Sequence, residues 1–567
     1  MAKSFQAAAL VLLSARHLRT ALGALLLSLL FTAPAVVQAH FSYTTNNGTI
    51  TIASYDCSRG SATIPGTING LPVASIGFGA FAACASLTNI TIGNSVTSIG
   101  DGVFRYCTGL TSVTIPNSVR TIGNDAFAEC TSITDITIGN GVTSIGDRAF
   151  VHCRRLNNVM IPSSVINIGS GAFAECASLT SITIGNGVTS IEDGVFRYCT
   201  SLTSVTIPNS VTNIGGQAFY SCTNLTNITI GSNVTSIWDD AFAHCTSLAS
   251  VTIPNSVTNI GVASFGGCTN LTSVAIGDSV TDIEKAAFAN CTSLTSVTIP
   301  NSVTSIGDGA FYSCTGLTSV NIPDSVIVIG GGAFSHCTSL TEITVDALNP
   351  AFSSTNGILF DKRQTALIEY PAGKAGSYTI PNTVTFIGDA AFSGCTSLTS
   401  VTIPNSVTYI GASAFAECTR LTNITIPKNV TWISNFAFSP CPSLARVYFE
   451  GNPPGEFLNP AFIGDNNATV YYLPGTTGWG KGYGGRPTAL WLPQMQASEA
   501  NFGVRANQFG FNIDWSSGKV VVVEASTSLA NPNWLPLQTN TPTGGSFYFS
   551  DPQWTNYPAR FYRVRSP

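Results

Sequence analysis

Sixteen cysteines and five histidines are the residues of this chain with the most evident capacity for chemistry, and their spacing decides what is open to them. Fifteen of the cysteines (Cys84, Cys107, Cys130 and onward to Cys337, then Cys395, Cys418 and Cys441) share one register of 23 residues, and Cys57 alone stands outside it. In an exported chain so many cysteines ordinarily indicate a disulfide framework. Here they occupy one repeat position on an apolar face, a column of equivalent neighbours about one strand spacing apart with no unique pairing. They read as buried free thiols acting as small hydrophobes. No Cys-x-x-Cys pair occurs, so a zinc cluster is not indicated.

His152, His244 and His336 each precede a repeat cysteine and are spaced by 92 residues, which is four repeats. At ~4.8 Å per repeat they stand ~19 Å apart, beyond shared metal ligation. His40 has no second histidine placed beside it by the sequence, so a copper site is not expected. Leu473-Pro-Gly-Thr-Thr-Gly478 is similar to a sortase signal but has one residue too many and no hydrophobic tail after it, and it reads as a turn. Serine and threonine are everywhere and acidic residues change from repeat to repeat, so no nucleophile triad or carboxylate pair stands out. The expectation is no catalysis, no metal and no cofactor.

The elements that carry these residues follow from the period. Phenylalanine stands three residues before each of the fifteen cysteines (Phe81, Phe104, Phe127 to Phe438), and leucine, or Ile133 once, three after. Self-similarity at this period signals a solenoid. In the unit that begins at Cys107, Leu110-x-x-Val113-x-Ile115 suits a short strand with Val113 and Ile115 inward and Ser112 and Thr114 outward. Pro116, or Gly93, Gly139 and Gly185 at the same place elsewhere, stops the strand, and Val119 and Ile122 form a second apolar pair. An aspartate at the following step (Asp101, Asp147, Asp193, Asp308, Asp389) is expected to cap a helical turn whose Phe and Cys share one face. One coil cannot bury enough surface to fold alone, so coils must stack and join their strands into one parallel sheet.

The outward strand surface is the candidate binding face. Its second position is threonine in eleven of fifteen coils: Thr91, Thr114, Thr137, Thr183, Thr206, Thr229, Thr252, Thr298, Thr344, Thr402 and Thr425. Met160, Asn321 and Tyr448 are among those that take that place elsewhere, and Glu342 lies in the neighbouring outward row. A ladder of hydroxyls and methyls could bind an ordered lattice such as ice or a polysaccharide, although threonine is also simply a preferred exposed strand residue.

Lys3, Arg16 and Arg19 precede the apolar run Ala21–Phe31 and then Thr32–Ala39, which reads as a signal peptide over residues 1–39 with cleavage before His40. Its removal leaves 21 Lys+Arg against 29 Asp+Glu, a net charge of −8. No later stretch is long and apolar enough to span a bilayer. Residues 40–83 read as an N-terminal cap with an imperfect first coil, 84–450 as the solenoid with a hairpin-like insertion at about 346–376, and 451–495 as degenerate coils. Residues 496–567 lose the period and read as a small β-sandwich-like domain, with strands near Phe509–Trp515, Val520–Ser526, Ser546–Phe549 and Arg560–Arg565. The whole chain is 44% hydrophobic and 9% charged with a net charge of −5. That excludes disorder, and the absence of basic blocks argues against nucleic acid.

The repeated string Leu-x-x-Val-x-Ile, then Pro-x-Ser-Val-x-x-Ile-Gly-x-x-Ala-Phe-x-x-Cys-x-x-Leu, resembles the BspA-like leucine-rich repeat family of bacterial surface and secreted proteins over about residues 62–450. It departs from better-known leucine-rich repeats, whose strand is followed by an asparagine ladder; Ser95, Ser118 or Gly141 stand near that place here. The resemblance implies a repeat solenoid: a right-handed leucine-rich-repeat-like coil with one parallel β-sheet and short helical or irregular turns, ending here in a small all-β domain. It also implies an exported or cell-surface scaffold for adhesion or protein binding; the expected partner is an unspecified extracellular protein or glycan, and the chain is expected to be a monomer. The rival expectation is an extracellular polymer-degrading hydrolase, but the one long interruption holds Asp346, Asp361 and Glu369 with no histidine.

Overall fold

The computed structural model describes residues 40–456, 460–497, 502–515, 519–543 and 546–566, and the predicted signal peptide lies outside them. The chain divides into two compact units, with the division between Gly357 and Ile358.

In the first unit the repeat pattern becomes stacked coils. Ser112–Ile115 pairs in parallel with Asp135–Ile138, Val113 opposite Ile136 and Thr114 opposite Thr137. Because the pairing offset equals the repeat, each side-chain type stacks on its own kind. Leu110, Val113, Ile115, Val119, Ile122, Ala126, Phe127 and Cys130 are all buried, so each coil sends an almost wholly apolar set inward. The solenoid class is as the sequence indicates, with one addition: a second column of two-residue parallel strands, Thr121–Ile122 against Ser144–Ile145 and onward. Two residues are too short to leave an alternation signal, so a single sheet was the expectation.

The turn face takes the irregular rather than the helical of the two expected forms. Among the described residues no α-helix occurs. The residues five and one before each repeat cysteine from Cys84 to Cys418 take left-handed backbone, as at Gly102 (φ 61°) and Tyr106 (62°), then Asp125 (52°) and Glu129 (60°). Left-handed residues interrupt a helix and cost ~1–2 kcal/mol each when not glycine. Hydrogen bonds between coils offset that cost: the amides of Gly102, Phe104 and Tyr106 donate to the carbonyls of Asn124, Ala126 and Ala128 at 2.7, 2.7 and 2.8 Å. The aspartates therefore cap no helix. Asp101 Oδ1 accepts from the Asn124 amide at 2.8 Å, Asn124 Oδ1 from Asp147 at 2.8 Å, and Asp147 Oδ1 from Ser170 at 2.9 Å. Asp193, Asp308 and Asp389 tie their coils to the next in the same way.

Phenylalanine rings form a spine through this unit, from Phe81–Phe104 at 5.0 Å between centroids to Phe311–Phe334 at 5.5 Å. Beside it each cysteine from Cys107 to Cys337 donates its thiol to the phenylalanine carbonyl 26 residues earlier, as Cys107 does to Phe81 at 3.1 Å. At the start of the unit Phe41–Asn46 and Thr49–Tyr55 form an antiparallel hairpin, and the second strand runs parallel to Leu71–Ile76. Here one expectation is corrected. Cys84 is not a free thiol but is disulfide-bonded to Cys57, with Cα atoms 5.1 Å apart. The chain before the first regular coil supplies a partner that pairing along the column did not include. The other fourteen cysteines are free and buried.

The second unit starts with another hairpin, Ile358–Asp361 against Ala366–Glu369, and Ala366–Leu367 then pairs in parallel with Phe386–Ile387. Coils follow, with Asn423–Ile426, Arg446–Phe449, Thr469–Tyr472 and Arg486–Leu490 as successive parallel strands. Phe462 extends the ring spine, 5.1 Å from Phe438, and Asp465 takes the place of the cysteine, fully buried. The unit ends in two small sheets, one built on Gln508–Asp514 and one on Val521–Ser526. Phe511, Ile513, Trp515, Val521, Val523 and Phe549 form their shared core. Leu535–Asn540, which pairs with Val521–Ser526, escaped the sequence reading because its side chains are mostly exposed and include Pro536.

Candidate functional site

Successive strands of the first unit present two outward rows. Thr91, Thr114, Thr137, Thr183, Thr206, Thr229, Thr252 and Thr298 are exposed, as are Met160, Asn321 and Glu342 in their rows, while Thr344 is half-buried. Register pairing sets Thr91, Thr114 and Thr137 opposite one another, then Met160 opposite Thr183, and Thr206 opposite Thr229. The ladder is therefore in register over these coils, with paired strands ~4.8 Å apart. Its hydroxyls are left to solvent, apart from Thr344, which donates to Asn321 Oδ1 at 2.9 Å.

A second threonine column shows the contrast. Thr111, Thr134, Thr203 and Thr226, at the strand edge, donate their hydroxyls to carbonyls of the preceding coil at 3.2, 3.3, 3.2 and 3.0 Å. Threonine thus does two jobs one turn of pleat apart. Between Ser181 and Gly231 the ladder carries a shallow depression of about 480 Å³ lined by Thr183, Thr206 and Thr229 with Asn186 and Asn209. Met160 is 68% exposed in the middle of the face, the largest apolar contact it offers.

The turn face holds the histidines and keeps them apart. His152 sits between two coils' glutamates, Nδ1 2.9 Å from Glu175 and Nε2 3.7 Å from Glu129. His244 and His336 instead meet the rings of Tyr220 and Tyr312 at 5.4 and 4.8 Å. A mixed-charge groove of about 560 Å³ runs beside His152, lined by Arg148, Glu175, Asp193, Arg197 and Asp240 among others. Sequence reasoning missed it because its members occupy different repeat positions. His40 Nδ1 lies 2.5 Å from Asp56, and that contact pulls the Asp56 carboxyl down to about 2. Among the described residues no cluster of three or more histidine, cysteine or acidic side chains is arranged to hold a metal.

In the second unit Thr402 is exposed, and Thr425 and Tyr448 are half-buried. Register sets Thr425 opposite Tyr448 and Tyr448 opposite Tyr471, so the hydroxyl ladder turns aromatic. Tyr471 was missed because Phe438 and Phe462 are 24 residues apart and Asp465 replaces the cysteine. Strand spacing alone, 23 from Tyr448, would have found it.

A protein-family profile described as a BspA-type leucine-rich repeat region of six copies matches residues 53–177, 120–249, 167–294, 235–356 and 370–469, well over half of the chain. Among solved structures, a leucine-rich repeat protein from Bacteroides ovatus is 25% identical, with 77% of this chain and 94% of that one covered and a TM-score of 0.43. One from Eubacterium ventriosum is 30% identical, with 44% and 67% covered and a TM-score of 0.39. A leucine-rich cell surface protein from Faecalibacterium prausnitzii is 24% identical, with 76% and 93% covered and a TM-score of 0.32. No curated protein gives a significant match.

Proposed function

The chain belongs to the BspA-type leucine-rich repeat family, and from that premise we propose that it is an exported or cell-surface binding scaffold that engages an extracellular protein through the strand face of its first unit. The observation that carries this reading is the ladder itself: exposed hydroxyls and methyls in register over successive coils, with Met160 among them and the cysteines buried behind. A repeated face of this kind binds by many modest contacts over a large area, with affinity concentrated at the few large side chains.

Export is supported by the basic and apolar pattern of residues 3–31 and by the Cys57–Cys84 bond, which persists in an oxidising compartment. Among the described residues no helix is long and apolar enough to cross a membrane. We read the scaffold as non-catalytic, in keeping with its repeat family and with a strand face made mostly of hydroxyls and amides, where Asp135 and Glu342 are the carboxylates of the first unit's outward rows. The test is to screen residues 40–567 against purified matrix proteins and surface proteins. Retention of a partner that is lost in Thr206→Lys/Thr229→Lys supports the reading; no retained partner, or retention indifferent to that face, counts against it.

A further inference from the structure

Within the second unit the aromatic end of the ladder faces Gln494–Gln496 and Asp514 across a groove of about 750 Å³. We propose that this groove is a separate site for a neutral polysaccharide, whose sugar rings lie against Tyr448, Tyr471 and Trp491. Tyr448 lies 5.4 Å from Tyr471, the rings 31° apart, and 4.5 Å from Trp491 at 34°. At these separations and tilts the rings stack on one another, Tyr448 touching both neighbours, and the three make a continuous, half-exposed aromatic wall of the groove. Sugar rings present one face of C–H groups that packs on aromatic faces and an equatorial rim of hydroxyls that needs polar partners, and the groove has both. Asn423, Arg446, Glu450, Gln494, Gln496 and Asp514 ring the wall with amides, carboxylates and a guanidinium.

The charges choose among glycans. Two carboxylates against one guanidinium disfavour uronate or phosphate chains and leave neutral pyranoses. The size falls within the roughly 300–1,000 Å³ of small-ligand sites, and a groove admits a chain one ring wide where a folded protein surface does not enter. The wall is also held in place. Trp491 meets the buried Trp515 edge-on at 5.8 Å, and Trp515 Nε1 donates to the Val520 carbonyl at 3.1 Å. A fixed wall binds without paying to order its side chains.

The test titrates residues 40–567 with hexasaccharides of β-1,4-linked glucose, N-acetylglucosamine and xylose, read by calorimetry and by tryptophan emission. The expected result is saturable binding of at least one, an emission change from Trp491, and a loss of about tenfold in Tyr448→Ala and Tyr471→Ala, the scale of one lost ring contact. Thr206→Lys, in the first unit, should leave sugar binding unchanged, which separates this site from the protein-binding face. Should either tyrosine variant melt early, Arg446→Ala and Gln494→Ala carry the same comparison on exposed side chains. No saturable binding of any of the three sugars, or binding that all these variants retain in full, overturns the proposal. So does a groove that captures an extended peptide and no sugar.

Discussion

Tyr370 stacks on Phe392 with ring centroids 5.0 Å apart, and its amide donates to the Ala391 carbonyl at 2.7 Å. Tyr55 stands in the same relation to Phe81 at 4.8 Å and to the Ala80 carbonyl at 2.8 Å. Tyr55 ends, and Tyr370 directly follows, the second strand of a hairpin whose partner in the next coil runs parallel. The second unit therefore begins with the same device as the first, a hairpin and a tyrosine covering the end of a ring spine.

A unit that brings its own cap should fold on its own. Residues 358–567 expressed alone are expected to melt cooperatively with near-ultraviolet circular dichroism from the packed aromatics, and Tyr370→Ala should cost that fragment about 2–4 kcal/mol. A fragment with strand signal but no cooperative transition would show that the hairpin is only an insertion.

The cysteine column makes a chemical prediction. Burial pushes the thiols of Cys107, Cys153, Cys199 and Cys268 up to about 12, and the thiolate is the reactive form. The native protein at pH 8 should leave all fourteen free thiols unlabelled by an aromatic disulfide reagent, and each should react after denaturation. Cys222→Ala should cost about 1–2 kcal/mol through the small void and the lost contact with the Phe196 carbonyl. Fast labelling of several thiols in the native state would contradict the packing.

Left-handed turn residues offer a reciprocal pair of variants. Ala286 (φ 56°) and Gly309 (φ 58°) hold the same repeat position. Ala286→Gly should stabilise by about 0.5 kcal/mol and Gly309→Ala destabilise by about 1 kcal/mol in urea denaturation. Opposite signs are the point; a loss in Ala286→Gly with a gain in Gly309→Ala would mean that the position is not strained.

Asp465 gives the pH dependence. Burial raises its carboxyl from 3.8 to about 7, against the opposing pull of the Cys441 amide and Arg486. The folded state then holds a proton that the unfolded chain releases, so this group's contribution to stability falls as pH rises from about 4 to about 7 and levels off above. Asp465→Asn should remove that slope and be about 2 kcal/mol more stable than the parent at pH 8. A variant whose stability falls with pH as the parent's does would place the proton elsewhere.

Much of the fold was legible because the same physical constraint recurs at each repeat: Phe127 and Cys130 must be buried in their coil for the reason that Phe104 and Cys107 are in theirs. What escaped lies where local sequence carries no signal. Tyr106 and Glu129 give no hint of left-handed backbone, since hydrogen bonds to the next coil hold them there. The Asp101–Asn124 contact joins residues one repeat apart, and a helix-cap reading looks only within a few residues. The ladder from Thr91 to Thr298 was visible as a pattern, whereas in the second unit Tyr471 joined Tyr448 only through strand register and Trp491 only through a ring contact.

The central claim is that the strand face of the first unit is the binding surface, and the most direct measurement compares equilibrium binding of the screened partner by residues 40–567 and by the Thr206→Lys/Thr229→Lys variant. The account predicts a loss of about tenfold or more with an unchanged melting temperature, since both side chains point to solvent. Equal affinity in the two proteins would contradict it and move the binding surface off the ladder.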